Sequence, residues 1–242
     1  MCNISCLRDS LAPIHKEGLL FIAIGGIVSF IFAFIWAPLA WLCALVTLWM
    51  CYFFRDPERV TPMRDGLIIS PADGRITSIE TTSLPAELSE GAVTPFQADT
   101  SHVRISIFLS IFDVHVNRSP IAGRIIKHVY KPGKLLNAAA DKASEDNERS
   151  SIIIETDKGA HIAVVQIAGF IARRIVTFVS EGTTLSAAER FGIIRFGSRV
   201  DVYLPKETVP LVAVGQRVIA GETILADLNA ALQAAPYTFK AT

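Results

Sequence analysis

Two hydrophobic patterns divide the chain. From Leu19 to Phe54 the residues are almost unbroken apolar, and nothing between Gly18 and Phe54 is charged. A single bilayer crossing takes about 20 apolar residues, so this run is too long for one straight span and long enough for two short ones. Pro38 lies near its middle, where a proline removes a backbone donor and breaks or kinks a helix. The run therefore predicts a helical hairpin, roughly Gly18–Trp36 and Leu39–Phe54, dipping into or across a membrane. Arg8 and Lys16 precede it, and Arg55, Arg59 and Arg64 follow it. Basic residues at both ends favour keeping both ends cytoplasmic. Trp36, Trp41, Trp49 and Tyr52 suit the membrane interface. A cleaved signal peptide is the competing reading, but its apolar core is usually only about 7–15 residues long. No small-x-small site ends the run, and Leu42 before Cys43 argues against a lipoprotein cleavage box.

From Asp56 onward the pattern changes to short apolar runs separated by turn residues. Leu67–Ser70, Arg75–Ile79, His102–Phe112, Gly123–Tyr130, Ser151–Glu155, His161–Ile167, Ile175–Val179, Arg199–Leu204 and Thr223–Leu228 read as strands. Asn137–Ser150 is polar and of mixed charge, which predicts a surface loop or short helix. Many short strands with few helical patterns give an α+β, mainly β, fold. A weak internal echo refines this. Gly182-Thr-Thr-Leu-Ser-Ala-Ala-Glu-Arg-Phe191 and Gly215-Gln-Arg-Val-Ile-Ala-Gly-Glu-Thr-Ile224 share the pattern G-x-x-[LV]-x-A-x-E-x-[FI]. Such hammerhead-like units occur in pairs in barrel-sandwich domains of the lipoyl type. The expected organisation is a tail (1–17), a membrane hairpin (18–54) and a β-rich catalytic domain (55–242).

Composition narrows the function classes. Hydrophobic residues make up 51% of the chain, and Lys+Arg and Asp+Glu both number 23. The zero net charge lacks the basic bias of a nucleic-acid binder. The cysteines, Cys2, Cys6, Cys43 and Cys51, all lie outside the β-rich region, which therefore has neither a disulfide framework nor a cysteine metal site. Lipidation of Cys2 and Cys6 competes with the reading of two free thiols. There is no Gly-rich nucleotide loop and no metal motif.

Chemistry centres on Phe196-Gly-Ser-Arg199. Glycine before serine lets the backbone bend and the hydroxyl approach the preceding carbonyl, as conversion of an amide to an ester requires. Alone, Gly-Ser is a commonplace turn. Asp73, in Ser70-Pro-Ala-Asp-Gly74, presents a carboxylate or makes an Asx turn. His115 follows an apolar strand and serves as base, acid or structural histidine. His15, His102, His128 and His161 show no metal-ligand spacing. Arg173 and Arg174 are either phosphate ligands or solvated cations.

Arg195-Phe-Gly-Ser-Arg-Val-Asp-Val-Tyr-Leu-Pro205 resembles the cleavage region of short-type phosphatidylserine decarboxylases. Phe54–Pro57, Ser70–Gly74, Asp113–His115, Pro132–Lys134, Asn147–Arg149 and Gly169–Arg174 also resemble segments of that family, in family order. The resemblance implies a proenzyme cleaved between Gly197 and Ser198 into a large chain (1–197) and a small chain (198–242), associated as a heterodimer and open to higher oligomers. It implies that Ser198 becomes a pyruvoyl group, which forms a Schiff base with phosphatidylserine and yields phosphatidylethanolamine and CO2. It further implies catalytic roles for Ser198, His115 and Asp73, with the catalytic domain on the cytoplasmic face of the cell membrane. Two departures stand out. Arg118 occupies the place of a second histidine in longer members, and Arg199 that of a threonine. An arginine holds its proton too tightly to be a neutral base, so the base that activates Ser198 is open. Two rival readings remain: a membrane-anchored adaptor with a lipoyl-like β domain, and a serine hydrolase acting through Ser198.

Overall fold

The computed structural model describes residues 12–91, 94–99, 101–133, 147–169, 174–195 and 197–230. Cys2, Cys6, Arg8, Lys134, most of the 137–150 stretch, Arg173 and Phe196 lie outside the described residues. The chain forms two compact units, one of residues up to 58 with Phe112–Val114 and one of the remainder.

The first unit is built on helices α1 (Lys16–Ala33) and α2 (Ala37–Phe53). Pro38 falls in the first turn of α2, where its missing N–H has no intrahelical acceptor to lose, so it starts the second helix. The helices run antiparallel and close together. A Cβ on Gly25 would lie 2.4 Å from Thr47 Oγ1, and one on Gly18 would lie 2.4 Å from the Phe54 ring. Ser29 and Thr47 donate their hydroxyl protons to the carbonyls of Gly25 and Cys43, four residues back. Large apolar side chains such as Leu20, Phe30 and Trp41 face outward. That inverts the usual surface helix, which hides its apolar stripe. α1 has 18 residues and is long and apolar enough to cross a membrane; at 1.5 Å per residue it spans about 27 Å.

The second unit is mainly β. Its largest sheet is antiparallel, with strands in the order β12 (Arg217–Val218), β2 (Gly74–Thr82), β3 (His102–Leu109), β11 (Ser198–Pro205), β7 (His161–Ala168), β6 (Arg149–Glu155), β5 (Gly123–Lys131), β9 (Thr184–Leu185). Three strands, β4 (Val116–Arg118), β10 (Arg190–Arg195) and β8 (Arg174–Thr177), make a second sheet. β1 (Leu67–Ile69) pairs with β13 (Ile224–Asp227). Alternation along a strand sends successive side chains to opposite faces. Val103, Ile105, Ile107 and Leu109 of β3 therefore join Val200, Val202 and Leu204 of β11 in the main core. Val165, Ile167 and Tyr203 face the other way, where Leu84 and Leu88 cover them from around the short helix α3 (Ala86–Ser89). β7 is thus apolar on both faces, as a central strand covered on both sides must be.

The echo seen in the sequence is one part of a larger duplication. Ser70-Pro-Ala-Asp-Gly74 leads into β2 as Ser119-Pro-Ile-Ala-Gly123 leads into β5. Ser70 Oγ donates to Ala72 O and Ser119 Oγ to Ile121 O, both at 2.7 Å. A Cβ on Gly74 would meet Phe108 O at 2.2 Å, and one on Gly123 would meet Glu155 O at 2.3 Å. Both strands then carry a bulge, between Ile76 and Ser78 and between Ile125 and Lys127. β2 pairs with β12 and β5 with β9, the two short strands of the echo. Cross-links are reciprocal: Ile69 N donates to Pro120 O, and Arg118 N to Pro71 O.

One expectation needs correction. The end of the polar 137–150 stretch is not surface: Asn147, Glu148, Arg149 and Ser150 are buried, and Arg149 and Ser150 open β6. Their polarity is satisfied internally, by backbone groups and by an Arg149–Glu87 ion pair.

Candidate active site

β10 ends at Arg195 in one sheet and β11 begins at Ser198 in another, so Gly197 lies in a very short crossover. Its φ of +68° is in the left-handed region that glycine adopts without the Cβ clash other residues meet. Ser198 is held on both sides, opposite Leu109 of β3 and Ala168 of β7. It falls in phase with Val200 and Val202, facing the main core. The residue is wholly buried, and its Oγ has no hydrogen-bond partner among the described residues.

β4 delivers the histidine. β10 pairs with it at Ile193–Val116, and Ile194 N donates to His115 O. His115 is fully buried, and its Nε2 accepts the N–H of Gly197 at 3.3 Å. That contact places the imidazole against the peptide bond that leads into Ser198.

The Gly197 carbonyl is also held. Gly169 N donates to Gly197 O at 3.1 Å, and Ala168 N to Glu148 O at 2.9 Å. Asn147 Nδ2 donates to Ala168 O at 2.7 Å. Glu148 Oε1 accepts from Tyr130 Oη and from Ile175 N, both at 2.9 Å.

Asp73 lies on the turn before β2, and β3 stands between β2 and β11 in the sheet. Its carboxylate accepts both contacts of Arg59 Nη2, at 2.8 and 2.9 Å, and the N–H of Ala220 at 2.8 Å. Arg118 is buried beside the same turn, donating from Nη1 to Ala188 O at 3.1 Å. Its backbone N–H donates to Pro71 O at 2.9 Å. Arg199 points to the face opposite Ser198, into a buried ion pair with Asp201 at 2.9 Å. Beside that pair, burial and the Asp201 charge push the Tyr203 phenol up to about 12.

The remaining histidines have structural partners. His102 Nε2 bonds Phe96 O, His128 Nε2 bonds Ser150 Oγ, and His161 lies 3.4 Å from Glu155. His15 accepts from Glu17 N at the start of α1. Arg174 is exposed on β8, opposite Arg195. One cavity of about 610 Å³ is lined by Arg104, Lys131, Arg149 and Tyr203. Another of about 550 Å³ lies around Met63, Ile121 and Lys158. Neither reaches Ser198 or His115. Ser198 is sealed from solvent.

The sequence reading missed three participants in this neighbourhood. Gly169 contributes a backbone N–H, which has no side-chain signature. Asn147 was visible within a recognised segment but sat in a stretch that reads as surface. Arg59 reads as a charge flanking the apolar run.

The sequence that builds this frame and its buried serine places the chain in a described class of enzymes. Residues 46–226 match the family model for phosphatidylserine decarboxylase, a carboxy-lyase. Two curated relatives are each named phosphatidylserine decarboxylase proenzyme. The one from Nitrobacter winogradskyi is 53% identical over 223 residues, covering 92% of this chain and 87% of the relative. The one from Ruegeria pomeroyi is 56% identical over 224 residues, covering 92% and 99%. The chain belongs to the phosphatidylserine decarboxylase family.

Proposed function

We propose that this chain is a proenzyme that cuts itself between Gly197 and Ser198, turns Ser198 into a pyruvoyl group and decarboxylates phosphatidylserine to phosphatidylethanolamine and CO2. The observation that carries the reading is the Ser198 hydroxyl, buried and unpartnered behind a left-handed glycine whose N–H rests on His115 Nε2. An unsatisfied buried hydroxyl costs about 1–3 kcal/mol, and such groups in native structures call for a reason. Here the reason is attack. Oγ gives up its proton, bonds to the Gly197 carbonyl carbon, and the C–N bond breaks as Ser198 N takes a proton. Loss of the Ser198 Cα proton then expels the Gly197 carboxylate, and water converts the remaining dehydroalanine to pyruvoyl with release of ammonia.

His115 is the base for Ser198 in this scheme; its contact with the Gly197 N–H supports that role in place of a histidine at Arg118. Asp73, tied to Arg59 and Ala220, contributes negative charge and holds the turn feeding β2. The residues fit the group they are to form: a small carbonyl at the head of β11 occupies the space of the serine it replaces. Once formed, that carbonyl takes up the substrate amine and draws electrons from the departing carboxylate. The chain's own part is to hold the β11 head rigid, exclude water and place His115 to manage a proton.

The outward apolar faces of α1 and α2 support a membrane hairpin, and the basic flanks support a cytoplasmic catalytic unit. A two-chain phospholipid seldom leaves the bilayer, so this placement suits the substrate. The duplicated halves support a barrel-sandwich, lipoyl-like frame. The large and small pieces are expected to stay together as a heterodimer.

The test is the intact mass of the purified protein. The expected products are a 1–197 chain and a 198–242 chain with pyruvoyl at its head, and Ser198→Ala should remain one 26.3 kDa chain. An uncut, inactive wild-type chain would favour the adaptor reading instead.

A further inference from the structure

We propose that the Ala168–Gly169 peptide is the oxyanion donor of self-cleavage and that Asn147 positions and polarises it. This rests on the reading of Gly197–Ser198 as the scissile bond. When Ser198 Oγ bonds to the Gly197 carbonyl carbon, the π pair of that carbonyl moves onto Gly197 O. The negative charge therefore develops on an oxygen that already accepts the Gly169 N–H at 3.1 Å. A donor aimed in advance at the developing charge, in a water-excluded site, is the arrangement that stabilises such intermediates best. When the C–N bond breaks, the pair returns to the carbonyl and the donor is left on the new ester. No outside reactant is consumed in this step.

The other end of the same peptide unit is held too. Asn147 Nδ2 donates to Ala168 O at 2.7 Å, and Asn147 is buried. Loading the carbonyl of an amide strengthens its N–H as a donor, because hydrogen bonds in a chain polarise one another. The link runs Asn147 Nδ2–H, Ala168 O, Gly169 N–H, Gly197 O. Ala168 N–H on Glu148 O fixes the preceding peptide, so Asn147 and Glu148 together set the plane of the donor. This gives a job to the Asn147–Arg149 segment, which sequence reading singled out without a role. Asn147 acts through the backbone and touches none of the reacting atoms.

The experiment follows cleavage of the full-length precursor made cell-free in the presence of lipid vesicles; the all-amide chains are run with and without hydroxylamine, which cuts an ester but not an amide, and the chain with a backbone ester is run only without it. The variants are Asn147→Ala, Asn147→Asp and a chain whose Gly169 amide is replaced by an ester. Loss of the Gly169 N–H should slow cleavage by about 10²-fold, the usual effect of removing one such donor. Asn147→Ala should slow it by about 10-fold, and hydroxylamine should not restore the rate, because the defect precedes the ester. Asn147→Asp should be slow at neutral pH, with its deficit relative to the unmodified chain narrowing toward about pH 4, where a carboxyl begins to hold a proton it can donate. Unmodified rates in Asn147→Ala, or full rescue by hydroxylamine, would overturn the role of Asn147. If the Asn147 variants fail to fold, the Gly169 ester decides: cleavage at the unmodified rate overturns the donor. An unmodified chain that never cuts between Gly197 and Ser198 would sink the parent reading instead, a separable result.

Discussion

The two halves of the duplicated β frame enter the sheet alike and differ where chemistry sits. Ser70–Gly74 and Ser119–Gly123 share their serine bond, their proline, their close-packed glycine and the bulge that follows. At matching positions the first half has Asp73 and the second Ala122, and the first has Gly66 where the second has His115. Beyond the paired echo strands, β13 ends at Asp227, whereas β10 leads through Gly197 into the central strand β11. Two copies of one scaffold thus supply the frame, and the proposed site falls at three local departures from it. What the halves share is shape; what they do not share is reactivity.

The strongest way to break this contrast is at the Gly66–His115 pair. His115→Ala should slow self-cleavage by about 10²–10⁴-fold, the range for loss of a general base, read from the rate at which the small chain appears on a denaturing gel. Gly66→Ala forces a side chain onto a φ of +83° and should cost about 1–2 kcal/mol of stability with cleavage intact. If both slow cleavage equally, the contrast fails.

Next comes the shared glycine. Gly74→Ala and Gly123→Ala each drive a Cβ into a backbone oxygen, and each should lose about 3 kcal/mol by denaturant unfolding of the Ser198→Ala precursor. A large effect at one and none at the other would dissolve the equivalence. Asp73→Ala, which makes the first turn resemble the second, leaves Arg59 and Ala220 N–H without that acceptor. A loss of about 1–3 kcal/mol is expected in the same assay, and Ala122→Asp should bring no compensating gain.

The smallest effect concerns His128, which matches Ile79 in the other half. Burial lowers its pKa, against a weaker opposing pull from Glu181. A folded pKa below the unfolded one means stability present above about pH 6.5 and lost as pH falls through the folded value. His128→Ile should flatten that acid-side decline in thermal midpoint and leave the neutral-pH plateau nearly unchanged.

Much of the fold was legible because its long strands carry their own pattern. β3 and β11 alternate, β7 is a short continuous apolar run, and the long apolar run announced its two helices. The short strands β4, β9, β10 and β12 did not show, because two to six residues with a glycine or arginines have no period to read. Their pairing partners define them, as Val116–Arg118 does alongside β10. Gly192 in β10 breaks the apolar pattern for a reason visible only in space: a Cβ there would lie 2.8 Å from Gln166 Nε2 and 3.0 Å from Val176 O. Ser198, His115 and Asp73 could be named from motifs, but their relation could not. The structure joins His115 to Gly197 directly and ties Asp73 to Arg59, 14 residues earlier, which in the sequence reads only as a charge beside an apolar run. Buried polarity at Asn147–Ser150 misled because its satisfaction comes from distant backbone.

The place of β11 in the sheet has a bearing on the life of the molecule after cutting. Ser198–Pro205 pairs along its whole length with β3, and Ser198–Tyr203 pairs with β7 on the other side. A break before Ser198 severs the covalent thread but leaves the small piece woven into the middle of the fabric. Folding of the precursor is a unimolecular event; reassembly of the cut pair is bimolecular and slows with dilution. Maturation would therefore act as a ratchet, giving a molecule that holds together while folded yet, once unravelled, depends on finding its other piece.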